Sequence, residues 1–142
     1  MPVRDIRSNF KPILAQTNVI STDTTTDGVS IDTADFDGGI MFLFDCTAYT
    51  DGTYTPVLEQ STTGAFAGEE TVIADANLQG TEAGAAISAA TVEAAVLPSI
   101  GIVGTDRYVR CTITSASTST GATISVIAVM APELTPDANL SA

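Results

Sequence analysis

The chain has no histidine and no tryptophan, and only five of its 142 residues are lysine or arginine. Without histidine, neither a Ser–His–Asp triad nor a Cys–His pair nor the usual zinc site is available. Without tryptophan, a sugar-binding site lacks its best aromatic platform. The scarcity of basic residues argues against nucleic acid as a partner of the main body, because phosphate binding needs clustered Lys and Arg. The sequence therefore predicts a protein that is not an enzyme and holds no cofactor or metal.

Long apolar runs are also missing. The longest, at 124–132, is interrupted by Ser125 and is shorter than the ~18–20 apolar residues of a membrane helix. The first ten residues carry charges without an apolar run of about seven residues behind them, which predicts no signal peptide. We therefore expect no membrane partner and synthesis in the cytoplasm.

Cysteine is scarce, with Cys46 and Cys111 lying 65 positions apart. Neither belongs to a Cys-x-x-Cys pair, so we interpret both as small buried apolar residues of a protein in a reducing compartment. The alternative is a disulfide that joins two neighbouring strands.

Charge is distributed unevenly along the chain, whose net charge is −12. The first eleven residues hold three basic residues and one acidic residue, and the other 131 hold two basic and sixteen acidic residues, a net charge of −14. This pattern predicts a basic extended arm (1–12), an acidic domain (13–132) and a polar C-terminal tail (133–142). A disordered terminus is the alternative for the arm. If the arm binds a partner protein or a neighbouring copy of the chain, we expect its contact residues to be Val3, Arg4, Ile6, Arg7, Phe10 and Lys11.

Threonine is the commonest residue, serine, valine, isoleucine and glycine are frequent, and short apolar stretches alternate with Asp-Gly, Gly-Thr and Ser-Thr clusters. This rhythm predicts an all-β fold, an antiparallel β-sandwich or jelly roll of about eight strands. The stretch 40–49 is apolar on both faces at its start, which predicts a central, covered strand, and Pro56 places strand 54–61 at an edge there. The stretch 91–97 is also predicted to be a strand. The predicted core contains Phe42, Phe44, Val109, Cys111, Ile113, Val126 and Ala128.

Two of the five basic residues, Arg107 and Arg110, flank a tyrosine in "TDRYVRC" at 105–111. In a regular strand these two side chains point to opposite sides, so they do not form one anion clamp. We expect Arg107 to reach solvent at the strand end. Arg110 lies on the polar face and is expected to pair with a carboxylate or stack on an aromatic ring. An inter-subunit salt bridge is the alternative.

Acidic residues in two loops suggest sites that their spacing does not support. In "DTADFDGG" at 32–39, the acids do not follow the alternation of a calcium-binding hand loop, so turn-forming Asp is the better interpretation. Glu69 and Glu70 are adjacent and diverge, unlike the paired carboxylates of a glycosidase. The stretch "GTEAG" at 80–84 lacks the lysine of a phosphate-binding loop.

Two stretches, "DGTYTPVLEQSTTGAF" at 51–66 and "SIGIVGTDRYVRCTITSASTSTGATISVIAVMAP" at 99–132, carry a resemblance. They resemble a family of small virion proteins of tailed bacteriophages and prophages. Such proteins typically have Asp-Gly-Thr-aromatic-Thr-Pro with a following Leu-Glu and a loop ending in Phe, then Val-Gly-Thr before Arg-Tyr-Val-Arg and a Thr-rich hairpin. The resemblance covers about 27–132 and is poor at 75–95. Asp106 stands where the family usually has a basic residue.

The resemblance implies a decoration, or cement, protein on the outer surface of the phage head. Such a protein binds the major capsid protein, is made in the host cytoplasm, and often forms a homo-oligomer, with a trimer expected first. Two other functions stay open. One is a different virion component, such as a connector, tail or head-fibre protein. The other is an extracellular carbohydrate-binding or adhesin sandwich.

Overall fold

Two antiparallel β-sheets of five strands each form the fold in this computed structural model, which describes residues 10–34, 39–92 and 97–131. In sheet A the strands lie in the order β1, β10, β4, β8, β7. In sheet B, β9 pairs with β5 on one side and with both β2 and β3 on the other, and β6 pairs with β5. The bounds are β1 Lys11–Ile20, β2 Thr25–Asp27, β3 Ile31–Asp32, β4 Ile40–Thr47, β5 Thr53–Ser61, β6 Thr71–Val72, β7 Leu78–Gln79, β8 Ser99–Ile102, β9 Tyr108–Ala116 and β10 Ala122–Met130.

The core lies between the two sheets, and the predicted β-sandwich is confirmed. In β10 every second residue from Ala122 to Met130 is buried, which is the period of a strand with one face on the core. All seven residues predicted for the core are buried, three in β9, two in β4 and two in β10. Tyr54 and Leu58 of β5 complete the inner face of sheet B.

Two predicted boundaries need correction, one of a strand and one of the arm. Residues 91–97 do not begin as a strand, because Ala89–Val92 form a short helix, α1, and residues 93–96 lie outside the described part. Two alanines favour helix, and Ser88 precedes them as a residue type that favours a helix start. β1 begins at Lys11, so Lys11 and Pro12, the last two residues of the predicted arm 1–12, belong to sheet A. A proline is compatible with this strand because β1 lies at the edge of the sheet.

The edge predicted at Pro56 is confirmed, and the chain itself protects it. The short β6 pairs only with Glu59 and Gln60, so it does not extend along β5 to Pro56. On the same side, Tyr54 exchanges backbone hydrogen bonds with Ile87. The Glu82 carboxylate accepts the Leu58 N–H at 2.7 Å. Burial raises the pKa of Glu82, a residue of the "GTEAG" stretch. That stretch therefore covers a sheet edge.

Candidate functional site

The first stretch that carries the resemblance joins two loops at one end of the sandwich. Asp51, just before β5, accepts hydrogen bonds from the backbone N–H groups of Ser119, Thr120 and Gly121 and from the Ser119 hydroxyl at 2.6 Å. The Ser119 hydroxyl and the Gly121 N–H are the main causes that lower the pKa of Asp51 from 3.8 to about 2. The Tyr54 hydroxyl donates to the Asp51 carbonyl at 2.8 Å. Asp51 thus ties the β4–β5 loop to the β9–β10 loop.

Glycine is required at two positions of this junction. Gly52 has φ +95°, and a Cβ there would lie 2.5 Å from the Thr118 hydroxyl oxygen. Gly121 has φ +98° and passes so close to the Ile20 carbonyl that a side chain would collide with backbone. Both loops are therefore held in one arrangement by backbone geometry as well as by the Asp51 carboxylate.

We expect Asp51→Asn to lower the melting temperature at pH 7, because the neutral amide loses the charge and one acceptor oxygen. The pKa of Asp51 is depressed in the folded state, so its contribution to stability is present above about pH 4 and is lost as the pH falls through about 2. Thermal unfolding of both proteins between pH 7 and pH 2 should show a difference that shrinks toward pH 2.

Asp75→Asn is the matched control, because it removes the same charge from the exposed 3₁₀ turn Asp75–Asn77. Its melting temperature should stay close to that of the parent protein throughout. Equal effects of the two substitutions would mean that net charge, rather than the Asp51 hydrogen bonds, produces the loss.

The second stretch that carries the resemblance contains Arg110, which lies in a largely buried network on the outer face of sheet B. Its Nε donates to Glu59 Oε2 at 2.6 Å, and its Nη1 lies 3.4 Å from Asp27 Oδ2. The side chains of Arg110 and Glu59 are 13% and 14% exposed. The guanidinium carbon lies 4.7 Å from the centre of the Phe66 ring, and the Thr112 hydroxyl donates to Glu59 at 3.1 Å. Both expected partners of Arg110, a carboxylate and an aromatic ring, are present.

Arg107 lies in the bend before β9 and has different partners. Its Nε and Nη2 donate to the two Asp32 oxygens at 3.0 and 2.7 Å, and its guanidinium lies 5.1 Å from the centre of the Tyr108 ring. The prediction that the two arginine side chains point to opposite sides of one regular strand does not apply, because Arg107 precedes β9, which begins at Tyr108. The Arg107 side chain is 55% exposed, as expected at a strand end. The two arginines bind different carboxylates of the same chain.

The acidic loops have structural contacts where they are described. Asp32 accepts the Ala34 N–H at 3.0 Å, which is the turn-forming role predicted for it, while Asp35 and Asp37 lie outside the described residues. Glu69 accepts the Thr63 hydroxyl, and Glu70 accepts the Gly68 N–H. In the part of the chain that is described, no three His, Cys, Asp or Glu side chains are grouped to hold a metal ion.

The cysteines are free thiols in different sheets. Cys111 in β9 is buried and Cys46 in β4 is partly buried, so the interpretation as apolar packing residues is confirmed for the first and holds in part for the second. They are not on neighbouring strands, and the alternative disulfide is wrong. Burial raises the pKa of both thiols.

Of the predicted arm, Val3, Arg4, Ile6 and Arg7 lie outside the described residues, as does the tail 133–142. Phe10 is 42% exposed, and Lys11 is the first residue of β1. Phe10 lines a groove together with Met41, Gly101, Val103 and Val129. The groove therefore places the end of the arm beside sheet A.

The outer face of sheet A is apolar at this end, and we call it the apolar face. The strand register aligns Pro12, Val129, Met41 and Gly101 in one row across β1, β10, β4 and β8. The next row aligns Leu14, Ile127, Leu43 and Ser99. Leu14 is 62% exposed and Met41 is 39% exposed. Neighbouring large apolar side chains that remain in contact with water mark an interaction surface rather than scattered exposure.

Charge separates the two outer faces. Among the described strand residues on the outer face of sheet A, Asp45 is the one charged side chain, and it lies beyond the two apolar rows. The outer face of sheet B instead carries threonines together with Arg110, Glu59 and Asp27. An acidic protein thus presents two neighbouring rows without charge at one end of sheet A.

The prediction for strand 40–49 is correct for its position and wrong for its second face. β4 lies at the centre of sheet A, but Met41 is exposed and Leu43 is only half-buried, so no described part of this chain covers them. The signal was present in "IMFLF", since apolar residues on both faces of a strand need a cover.

Comparison of the chain with protein-family models, with curated proteins and with solved structures found no match. Among the described residues, no helix is long and apolar enough to span a bilayer. What the protein does therefore has to be inferred from its own residues, from their contacts and from the resemblance at 51–66 and 99–132.

Proposed function

We propose that the protein is a capsid decoration protein, without enzymatic activity, on the outer surface of a tailed-phage head. It binds the major capsid protein in the assembled shell and forms a homo-oligomer there, for which a trimer is the first expectation. The observation that carries the proposal is that the residues in the two stretches resembling phage virion proteins have structural roles. Asp51, Gly52, Tyr54, Glu59 and Arg110 all join strands and loops of one sandwich.

A rigid sandwich suits this role for a mechanical reason. A shell that has expanded around packaged DNA is under outward pressure, and a unit that bridges shell subunits adds contacts that exist only in the expanded lattice. A protein that binds the lattice but not the free subunits stabilises the lattice by mass action. The loop junction at Asp51 and the Arg110 network hold the binding unit in one conformation, which lowers the entropy lost on binding.

Residues 1–12, of which Lys11 and Pro12 belong to β1, are proposed as an anchor on the capsid or on a neighbouring copy. The segment holds Arg4 and Arg7 in a chain whose other residues are strongly acidic, so it has the charge to approach an acidic surface. Individual exposed ion pairs contribute only about 0–1 kcal/mol. The apolar residues Val3, Ile6 and Phe10 should therefore contribute more than either arginine.

We expect deletion of residues 2–9, which leaves β1 intact, to weaken binding to expanded shells by at least about tenfold, or 1.4 kcal/mol. The shells are those of the phage or prophage whose genome encodes this chain, purified without the protein. Binding is measured by co-sedimentation of the added protein. The Arg4→Ala/Arg7→Ala variant should lose less than the deletion, because it keeps the apolar contacts.

Electron microscopy of the same particles with and without the protein tests the function itself. Added density on the head faces supports decoration, whereas density confined to the tail or connector would replace the proposal with another virion role. Absence of binding to any part of the particle would refute a virion role. If the intact and truncated proteins bind equally, the function stands and the anchor is wrong.

A further inference from the structure

We propose that a second copy of this chain covers the apolar face of sheet A. This inference rests on the homo-oligomer of the proposed function and names the surface on which copies meet in solution. Two identical faces in contact form a two-fold dimer, so the trimer proposed on the shell needs a further contact between copies. It starts from the large apolar side chains of the two rows, which are exposed or half-buried on the outer side of three adjacent strands: Leu14 of β1, Ile127 and Val129 of β10, and Met41 and Leu43 of β4.

Charge selects this surface for contact between identical copies. The chain has seventeen acidic and five basic residues, so most surfaces of one copy repel the same surface of another. Asp23, Asp27, Glu69, Glu70 and Asp106 all lie in sheet B or in loops. The two apolar rows carry no charge. Two copies that meet there bury apolar area, and the one carboxylate of this face, Asp45, lies beyond the second row at the edge of the contact.

The dimensions of the face predict a weak contact in solution. Neighbouring strands are about 4.8 Å apart, so four strands give a face roughly 15 Å wide, and two rows extend about 7 Å along the strands. A stable interface usually buries about 800 Å² on each partner. Exposed residues at the margin, Phe10 and Val103, must therefore join the contact. We expect association that depends on protein concentration and that a capsid lattice, which holds copies close together, would reinforce.

Residues 1–9 of the same chain are a poorer cover. They offer three large apolar side chains, Met1, Val3 and Ile6, against five on the two rows, and they bring two arginines and an aspartate with them. A second copy instead offers an apolar surface of the same size. It also explains why the outer face of β4 is apolar over Met41 and Leu43 but turns polar at Asp45 and Thr47, where the contact ends.

Sedimentation velocity of the intact chain over about a hundredfold range of concentration tests the inference. The average mass should rise with concentration, more at about 0.5 M than at about 0.05 M salt, because salt screens the like charges. Leu14→Glu and Met41→Glu should each raise the dissociation constant at least about tenfold. Leu14→Ile, which keeps the face apolar, should change it less than about threefold.

Val72→Glu is the matched control, because Val72 is 58% exposed against 62% for Leu14 but lies on β6 of sheet B. It should leave association unchanged, and thermal unfolding should show that all variants are folded. If Leu14→Glu does not fold, Met41→Glu and Leu14→Thr decide the question.

Three outcomes would overturn the inference. One is an intact chain that stays monomeric at every concentration while the face variants lose binding to shells, because the cover is then the capsid. Another is a chain that associates only after residues 1–9 are removed, because the cover is then its own segment. The third is association that Leu14→Glu and Val72→Glu reduce equally. Loss of the virion role alone would leave the association in solution unaffected.

Discussion

Replacing Phe44 by alanine is expected to lower the free energy of unfolding by about 3–5 kcal/mol. Phe44 is 1% exposed and lies in β4, the central strand of sheet A, where it faces Val126 across the strand pair and belongs to the core cluster between the sheets. Its removal takes apolar area out of the core and leaves a cavity that two hydrogen-bonded sheets cannot close. Denaturant titration of both proteins measures the difference.

Met41→Ala is the matched control on the other face of the same strand. Met41 is 39% exposed and outside the core, so its truncation should cost less than about 1 kcal/mol in dilute, monomeric protein. A loss below about 1 kcal/mol for Phe44→Ala, or equal losses for the two variants, would contradict the assignment of the inner and outer faces of β4.

The inner faces of the long strands could be predicted because they follow a local rule. In "ATISVIAVM" every second residue is buried, and the same period places Val109, Cys111 and Ile113 together in β9. The local pattern did not show whether the outer face of β4, at Met41 and Leu43, would be covered, because such a cover is not part of the strand itself. The short helix α1 includes Thr91 and Val92, the first two residues of the predicted strand, because Ala89 and Ala90 directly before them favour a helix.

For the candidate surfaces too, the sequence predicted the type of contact but not the residues that come together from distant parts of the chain. That Arg110 would meet a carboxylate and an aromatic ring follows from its position on a polar face, but Glu59 and Phe66 are 51 and 44 positions away along the chain. The apolar face needs three strand pairings to align its rows, and no periodicity within one strand contains them. What the sequence did contain was the second apolar face of β4.

Replacing Arg110 by methionine is expected to destabilise the protein by about 3 kcal/mol. Methionine keeps much of the length and the apolar contact with Phe66 but removes the charge. The Glu59 side chain, which is 14% exposed, would then lose the Arg110 guanidinium, whose Nε lies 2.6 Å from Glu59 Oε2. The remaining donor in the network, the Thr112 hydroxyl, is neutral. An uncompensated, largely buried carboxylate is the source of the loss, which denaturant titration measures.

Two further variants separate this cause from a simple loss of packing. Arg110→Met/Glu59→Leu removes both charges and should regain more than half of the stability lost by Arg110→Met, because an apolar pair can replace an ion pair that is shielded from water. Arg107→Met removes the more exposed arginine, whose side chain is 55% accessible, and should cost much less. If the double variant is less stable than Arg110→Met, the network stabilises sheet B through its hydrogen bonds rather than through charge compensation. If Arg107→Met costs as much as Arg110→Met, burial does not distinguish the two arginines.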